Sequence, residues 1–198
     1  PQQSAHFAAQ GVMAGASDIV VAAGVEVMSM VPMGASAMVA NVGFPFGPEM
    51  TARYDKVGGI VPQGISAELI AEKWGLSRED LDTYSAESQR RAAQARDEGR
   101  FDNEIIPVQA KPIDKETGKL IETDEVVSAD EGIRDGTTVE TLANLKPAFK
   151  EDGVVTAGNS SQITDGAAAV LIMSEEKANE LGLTPRARFH TFALAGVD

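Results

Sequence analysis

Small apolar residues recur at Ala5, Ala8, Ala9, Val12 and Met13, the i, i+3, i+4, i+7, i+8 spacing that lays one stripe along a helix. Their small size suits close packing, and Gly15 with Ser17-Asp18 ends the pattern. Ile19 to Ala23 is then continuously apolar and closed by Gly24, which predicts a fully buried parallel strand. From about Met30 to Gly64 both periods vanish among Pro, Gly, Met and Phe. An irregular stretch of that length is usually functional, so we expect an excursion over the mouth of a site. Its methionines, with Phe44 and Phe46, either line an acyl channel or pack within the loop.

Helical spacing returns between Ile65 and Trp74, with Ile65, Leu69 and Ile70 on one side and Gly75 as the stop. Ser77 followed by Asp80 reads as a capping box opening a long polar helix from about Arg78 to Glu98, closed by Gly99. Its charges, from Glu87 through Arg90, Arg91 and Arg96 to Asp97 and Glu98, form a solvated face, with partner docking as the alternative. Asp114 and Gly118 between extended segments suggest a β-hairpin over Val108 to Ile121. A short helix is expected over Glu140 to Leu145, before Pro147.

The densest chemistry lies in VTAGNSSQITDGAAAVLIMS, Val155 to Ser174. Gly158 and Gly166 allow positive φ or close approach to a ligand, while Asn159, Ser160, Ser161 and Thr164 supply short hydrogen-bonding groups. Ala167, Ala168 and Ala169 suit a strand pressed by helices on both faces, and Ser174 with Glu175 and Glu176 reads as a helix start. The pattern at both ends, strand with helix around a mixed insertion, argues for an α/β core with a lid-like subdomain. Ala187 to Leu194 alternates enough to be a further strand.

This segment resembles the glycine- and alanine-rich signature of thiolases, enzymes that exchange acyl groups between coenzyme A and a carbon chain. AAGVEVMSMVPMG, Ala22 to Gly34, resembles the family's strand-loop that carries Glu-x-Met-Ser before a proline. The resemblance implies part of the N-terminal layer of a duplicated five-layer α/β fold, with a buried helix, parallel strands and a mixed α+β loop domain inserted. In that frame residues 1–29 belong to the core, 30–155 to the loop domain, 156–186 to the returning core and 187–198 to the start of a C-terminal half. The implied activity is CoA-dependent cleavage of a 3-ketoacyl-CoA to acetyl-CoA and a shortened acyl-CoA, or the reverse condensation. A non-catalytic CoA-binding module of thiolase descent is the alternative.

Composition bears on both readings. The chain has no cysteine, which excludes disulfides and Cys-ligated zinc, and its two isolated histidines disfavour a His-based metal site. In thiolases the nucleophilic cysteine opens the helix that here begins near Gln2, and the family's Gly-His-Pro histidine belongs to the C-terminal half, so the chain reads as a middle portion. His6 reads as a packed or edge residue, His190 has no telling partner, and no catalytic residue is assigned. The net charge of −13 disfavours nucleic acid and anionic membranes as partners. No apolar run reaches the ~18 residues of a membrane span and no basic leader is visible, so a cytoplasmic location is expected.

The resemblance also assigns a coenzyme A site, with CoA as substrate and no cofactor. Arg134, within DEGIRDG, implies a contact to the adenine and phosphate end, with a surface salt bridge to Asp130 or Asp135 as the alternative. Phe149, closing the intact LKPAF run, implies a wall of the adenine pocket. Ala157, Gly158, Ser160 and Ser161 match the stretch along the pantetheine arm, Ser161 being the best single hydrogen-bonding candidate and a plain turn the alternative. The chain departs from many thiolases at Pro62-Gln63 before Gly64 and at Gln162. The short excursion after Pro32 favours a degradative 3-ketoacyl-CoA thiolase, in its complete form a homo-oligomer.

Overall fold

The computed structural model describes residues 2–35, 43, 45–114 and 116–195. In chain order its elements are α1 (Gln2–Met13), β1 (Ile19–Val27), α2 (Pro48–Tyr54), α3 (Gln63–Trp74), α4 (Arg78–Asp97), β2 (Val108–Gln109), β3 (Val126–Val127), α5 (Val139–Ala143), β4 (Asp165–Met173) and α6 (Glu175–Glu180). They form two compact units, Pro1–Gly59 with Ile163–Asp198, and Ile60–Gln162. These divisions fall at 59/60 and 162/163, later in the chain than the sequence-read boundaries at 29/30 and 155/156.

In the first unit β1 and β4 pair antiparallel, in register from Ile19↔Met173 to Val27↔Asp165. This corrects the expected parallel pairing: a continuous apolar run encodes burial on two faces but carries no information on strand direction. Ala8 and Ala9 of α1 pack on Ala22 and Ile172, with Ala5, Val12, Val20 and Phe192 around them. The other face, with Ile19, Val21, Val25 and Leu171, is exposed, as are Ala167 to Ala169, so the strands are not the fully buried ones the sequence suggests. Residues 187–194 form no strand either. Phe189 and Phe192 stack with ring centroids 5.6 Å apart, and His6 meets Phe192 edge-on at 5.2 Å, the packed position expected of a lone histidine.

The stretch from Met30 to Gly64 is not wholly irregular. Proline at its first turn helps start α2, and a 3-10 turn follows over Asp55–Val57. Phe44 and Met38, proposed for an acyl channel, lie outside the described residues.

The second unit follows its local signals closely. The Ser77 hydroxyl accepts the Asp80 N–H at 3.1 Å while the Asp80 carboxylate accepts the Ser77 N–H at 2.8 Å, the reciprocal box that starts α4. Gly75 ends α3 with φ 65°, a left-handed conformation, its N–H reaching the carbonyls of Ala71 and Glu72. The expected hairpin forms with a longer reach: Ile113 bridges Leu120 across the turn, and Val108-Gln109 pairs with Val126-Val127.

Where β1 ends and β4 begins, one carboxylate ties the two strands. The Ser29 N–H donates to Asp165 Oδ1 at 2.8 Å and its hydroxyl to Oδ2 at 2.5 Å. The hydroxyl first, then the N–H, holds the Asp165 carboxyl below its ordinary range. A carboxylate with a depressed folded pKa adds stability that is fully present above its ordinary value of about 4 and is lost as pH falls through the lower folded value. Acid melts should therefore fall more steeply below about pH 4 for the parent than for Asp165→Asn. Superimposable acid profiles for the two proteins would remove the role given to this tie.

Candidate functional site

Residues 154–160 run without a strand partner beyond the single bridge Pro147↔Thr156, so their backbone groups must be satisfied by side chains. α3 supplies Glu68, whose carboxylate accepts the N–H groups of Val154 and Val155, each at 2.9 Å. α4 supplies Asp82, 1% exposed, which accepts from Asn159 Nδ2 at 2.9 Å and from Arg78 Nε at 2.7 Å. Arg78 then donates to the carbonyls of Leu142 at 2.6 Å and Leu145 at 3.0 Å. Asn159 turns back on its own loop, accepting the Thr156 N–H at 2.7 Å and donating to the Val154 carbonyl at 3.0 Å. Among the described residues every buried side-chain polar atom has a partner, which is what makes burial of two carboxylates tolerable.

Glu68, Arg78 and Asp82 are absent from the sequence-based site. The signal was present: Gly64, Glu68 and Ala71 share one side of α3 at i, i+4, i+7, so the acid stands on a stripe of small residues. Arg78 and Asp82 form an i, i+4 pair in the opening turn of α4.

The residues expected along a ligand divide by role. A Cβ at Gly158 would meet Leu142 Cδ2 and Leu145 Cδ1 at 2.5 Å, so a larger residue there forces these two leucine methyls to shift. Gly166 has no positive φ, which corrects that half of the expectation, and among the described residues no atom lies within 4 Å of a built Cβ there. The Ser160 hydroxyl donates to the Thr156 carbonyl at 2.6 Å and holds the loop. Ser161 is exposed, its hydroxyl making only a 3.4 Å contact to the Gln162 carbonyl, and Ala157 is exposed too. Phe149 is half exposed and its ring lies across Gly64, where any Cβ would overlap it. The Ala148 N–H bonds the Val155 carbonyl at 2.9 Å, which keeps the LKPAF run beside the glycine loop.

Arg134 is exposed, and among the described residues no carboxylate stands within ion-pair distance of its guanidinium. The salt-bridge alternative fails because its partners are committed elsewhere. Asp135 holds Arg96 at 3.0 and 3.2 Å, and Asp130 accepts the Gly132 N–H at 2.7 Å. The Arg134 N–H donates to Gln89 Oε1 at 2.9 Å, and Gln162 Nε2 donates to the Gly132 carbonyl at 2.5 Å. The second unit therefore joins all three sequence segments.

Arg134 helps line a groove of about 500 Å³ between α4, through residues such as Gln89, Ala93 and Asp97, and the loop through Thr137. The charges along α4 neutralise one another: Arg90, then Arg91, pulls the Glu87 carboxyl down to about 2, and Asp135, then Asp97, raises the already high Arg96. Arg134 thus presents an exposed guanidinium at the groove, while the half-exposed ring of Phe149 and the exposed Ser161 hydroxyl are not part of its walls. His6 and His190 stand in the first unit, the chain has no cysteine, and among the described residues no group of three potential ligands could hold a metal ion. Among the described residues the arrangement contains no nucleophile with its base.

The chain matches the family described as thiolase, N-terminal domain, over residues 2–176. It is 44% identical over 196 residues to a 3-ketoacyl-CoA thiolase of Bacillus subtilis (strain 168), an alignment covering 98% of this chain and 48% of the relative. The solved acetyl-CoA acetyltransferase of Syntrophomonas wolfei is similar with TM-score 0.69 and 38% identity, over 93% of this chain and 44% of that one. Human mitochondrial 3-ketoacyl-CoA thiolase, solved in complex with CoA, is similar with TM-score 0.71 and 32% identity, over 92% and 44%. The chain spans about half the length of the curated relatives it matches.

The buried polar clamp and the exposed hydroxyl should respond differently to substitution. Asp82→Ala strands Arg78 and the Asn159 amide and is expected to cost about 3 kcal/mol. Gly158→Ala forces its two leucine neighbours to move, at about 1–3 kcal/mol. Ser161→Ala should stay within roughly 0.5 kcal/mol. Denaturant midpoints followed by helical circular dichroism measure all three, and equal midpoints for Gly158→Ala and Ser161→Ala would contradict the packing assignment.

Proposed function

The chain belongs to the thiolase family, and from that membership we propose that the whole protein is a CoA-dependent acyltransferase. It cleaves a 3-ketoacyl-CoA by thiolysis to acetyl-CoA and a shortened acyl-CoA, or runs the reverse condensation, with the degradative direction and a role in β-oxidation favoured by the short excursion after Pro32. The observation that carries this reading is the junction of three segments in one unit. Gln162 bonds Gly132, Ala148 bonds Val155, and Leu142 with Leu145 close on Gly158, so the available cation, the aromatic ring and the glycine loop belong to one scaffold.

In this reading Arg134 takes the phosphates and adenine end of coenzyme A, and Phe149 lies against the adenine. Ser161 and Ala157 meet the pantetheine arm, while Gly158 and Ser160 shape the loop that presents them. The residues supplying thiolate and base stand outside this chain, and no residue of it is assigned to the chemical step. The second unit is the inserted loop domain, and the first is part of the N-terminal layer of a five-layer fold. The exposed apolar face of β1 and β4 supports burial against further layers and a homo-oligomeric assembly. No described helix is long and apolar enough to cross a membrane, and we assign the protein to the cytoplasm.

Two outcomes test this. The purified 198-residue chain should show no CoA-dependent cleavage of acetoacetyl-CoA; turnover by it would overturn the division of labour. Arg134→Ala should weaken CoA binding by about 1.5–3 kcal/mol, an effect that shrinks with added salt and with dephospho-CoA, whereas Ser161→Ala should cost on the order of 1 kcal/mol at any ionic strength. Parent-like CoA affinity of Arg134→Ala at low salt would show the nucleotide end to lie elsewhere.

A further inference from the structure

The loop 130–137 is held at three points. Gln162 donates to the Gly132 carbonyl at 2.5 Å, Gln89 accepts the Arg134 N–H at 2.9 Å, and Arg96 grips Asp135 at 3.0 and 3.2 Å. Two of these anchors come from α4, a rigid element. The third comes from the residue that directly follows Ser161. It also fits closely: a Cβ built on Gly132 would meet Gln162 Oε1 at 2.5 Å and Asp130 Oδ1 at 2.9 Å, so a larger residue there would displace the glutamine amide.

We propose that Gln162 is a positioning residue that couples the two ends of the coenzyme site, fixing the loop that carries Arg134 whenever the glycine loop is engaged at Ser161. The inference rests on the coenzyme A reading of Arg134 and Ser161. Its physical basis is covalent adjacency followed by one short hydrogen bond. A ligand that restrains Ser161 restrains Gln162, Gln162 restrains Gly132, and Gly132 stands two residues before Arg134. The ordering cost of the nucleotide end is then partly met before the phosphates arrive, which appears as positive coupling between the subsites.

The test is a four-protein cycle on the complete protein: parent, Gln162→Met, Arg134→Ala and the double variant. Methionine keeps length and neutrality but cannot donate. With Arg134 present, Gln162→Met should weaken CoA binding about fivefold, the value of one neutral hydrogen bond, and with Arg134→Ala less than about twofold. Without ligand, amides of 132–137 should exchange faster in Gln162→Met and in Gly132→Ala, while those of α4 stay protected. Faster exchange with an identical fold-change in both backgrounds would overturn the coupling and leave the coenzyme reading standing. Unchanged exchange would overturn the latch itself. CoA binding that is indifferent to Arg134→Ala would overturn the coenzyme reading and the coupling together, even if the exchange result held.

Discussion

A loop that joins almost no sheet must satisfy its backbone groups by other means, and between Val154 and Ser160 that demand is met by carboxylates from two helices. Glu68 caps two amides of the loop, and Asp82 holds Asn159, which in turn closes the loop on itself. Each acid is buried, so each is tolerable only because all its neighbours comply: remove Asp82 and Arg78 is left facing bare carbonyls. The position of Gly158, the packing of Leu142 and Leu145 on it, and the exposure of Ser161 all follow from this clamp. The residues the clamp does not use, Ala157 and Ser161, are left exposed.

That division explains an otherwise odd feature of TAGNSS. Four of its side chains are short and polar, yet in the structure most serve the loop. Thr156 accepts Gly158, Asn159 ties both the loop and Asp82, and Ser160 returns to Thr156. Ser161 alone in the run has a hydroxyl with no short bond. A polar sequence motif can thus be mostly scaffold, and the residue that faces outward is identified by what its neighbours consume.

Local chemistry made helix ends in both units legible in advance. Ser77 and Asp80 announced α4, Gly75 ended α3, and Ser174 capped α6, because caps are read from side chains a few residues apart. Non-local facts were not legible. Strand direction in β1 and β4 depends on topology between residues far apart, and Ala187 to Leu194 alternates without a neighbour to pair with, so it packs Phe192 against α1 instead. The close packing at Gly158 comes from leucines on another segment, whereas Gly166, with the same motif logic, meets nothing among the described residues. Six candidate positions were named from resemblance, and the structure separates those that build the loop from those left exposed on it. Glu68 and Asp82 escaped notice because an acid in a helix reads as solvated until the partner that buries it is known.

The ladder between β1 and β4 has a consequence for the order in which the molecule acquires structure. Its two strands stand far apart in the chain, and the tie from Ser29 to Asp165 spans 136 positions, whereas the second unit is one continuous stretch, Ile60–Gln162, with helix caps that form from neighbouring residues. Closing so long a loop in a disordered chain costs entropy that local contacts do not. During synthesis β1 is therefore made well before β4, and their ladder cannot close until the whole second unit has followed. A nascent chain that ends before Asp165 thus carries the valine-rich β1 without the strand it pairs with among the described residues, and an open strand edge of that kind invites aggregation.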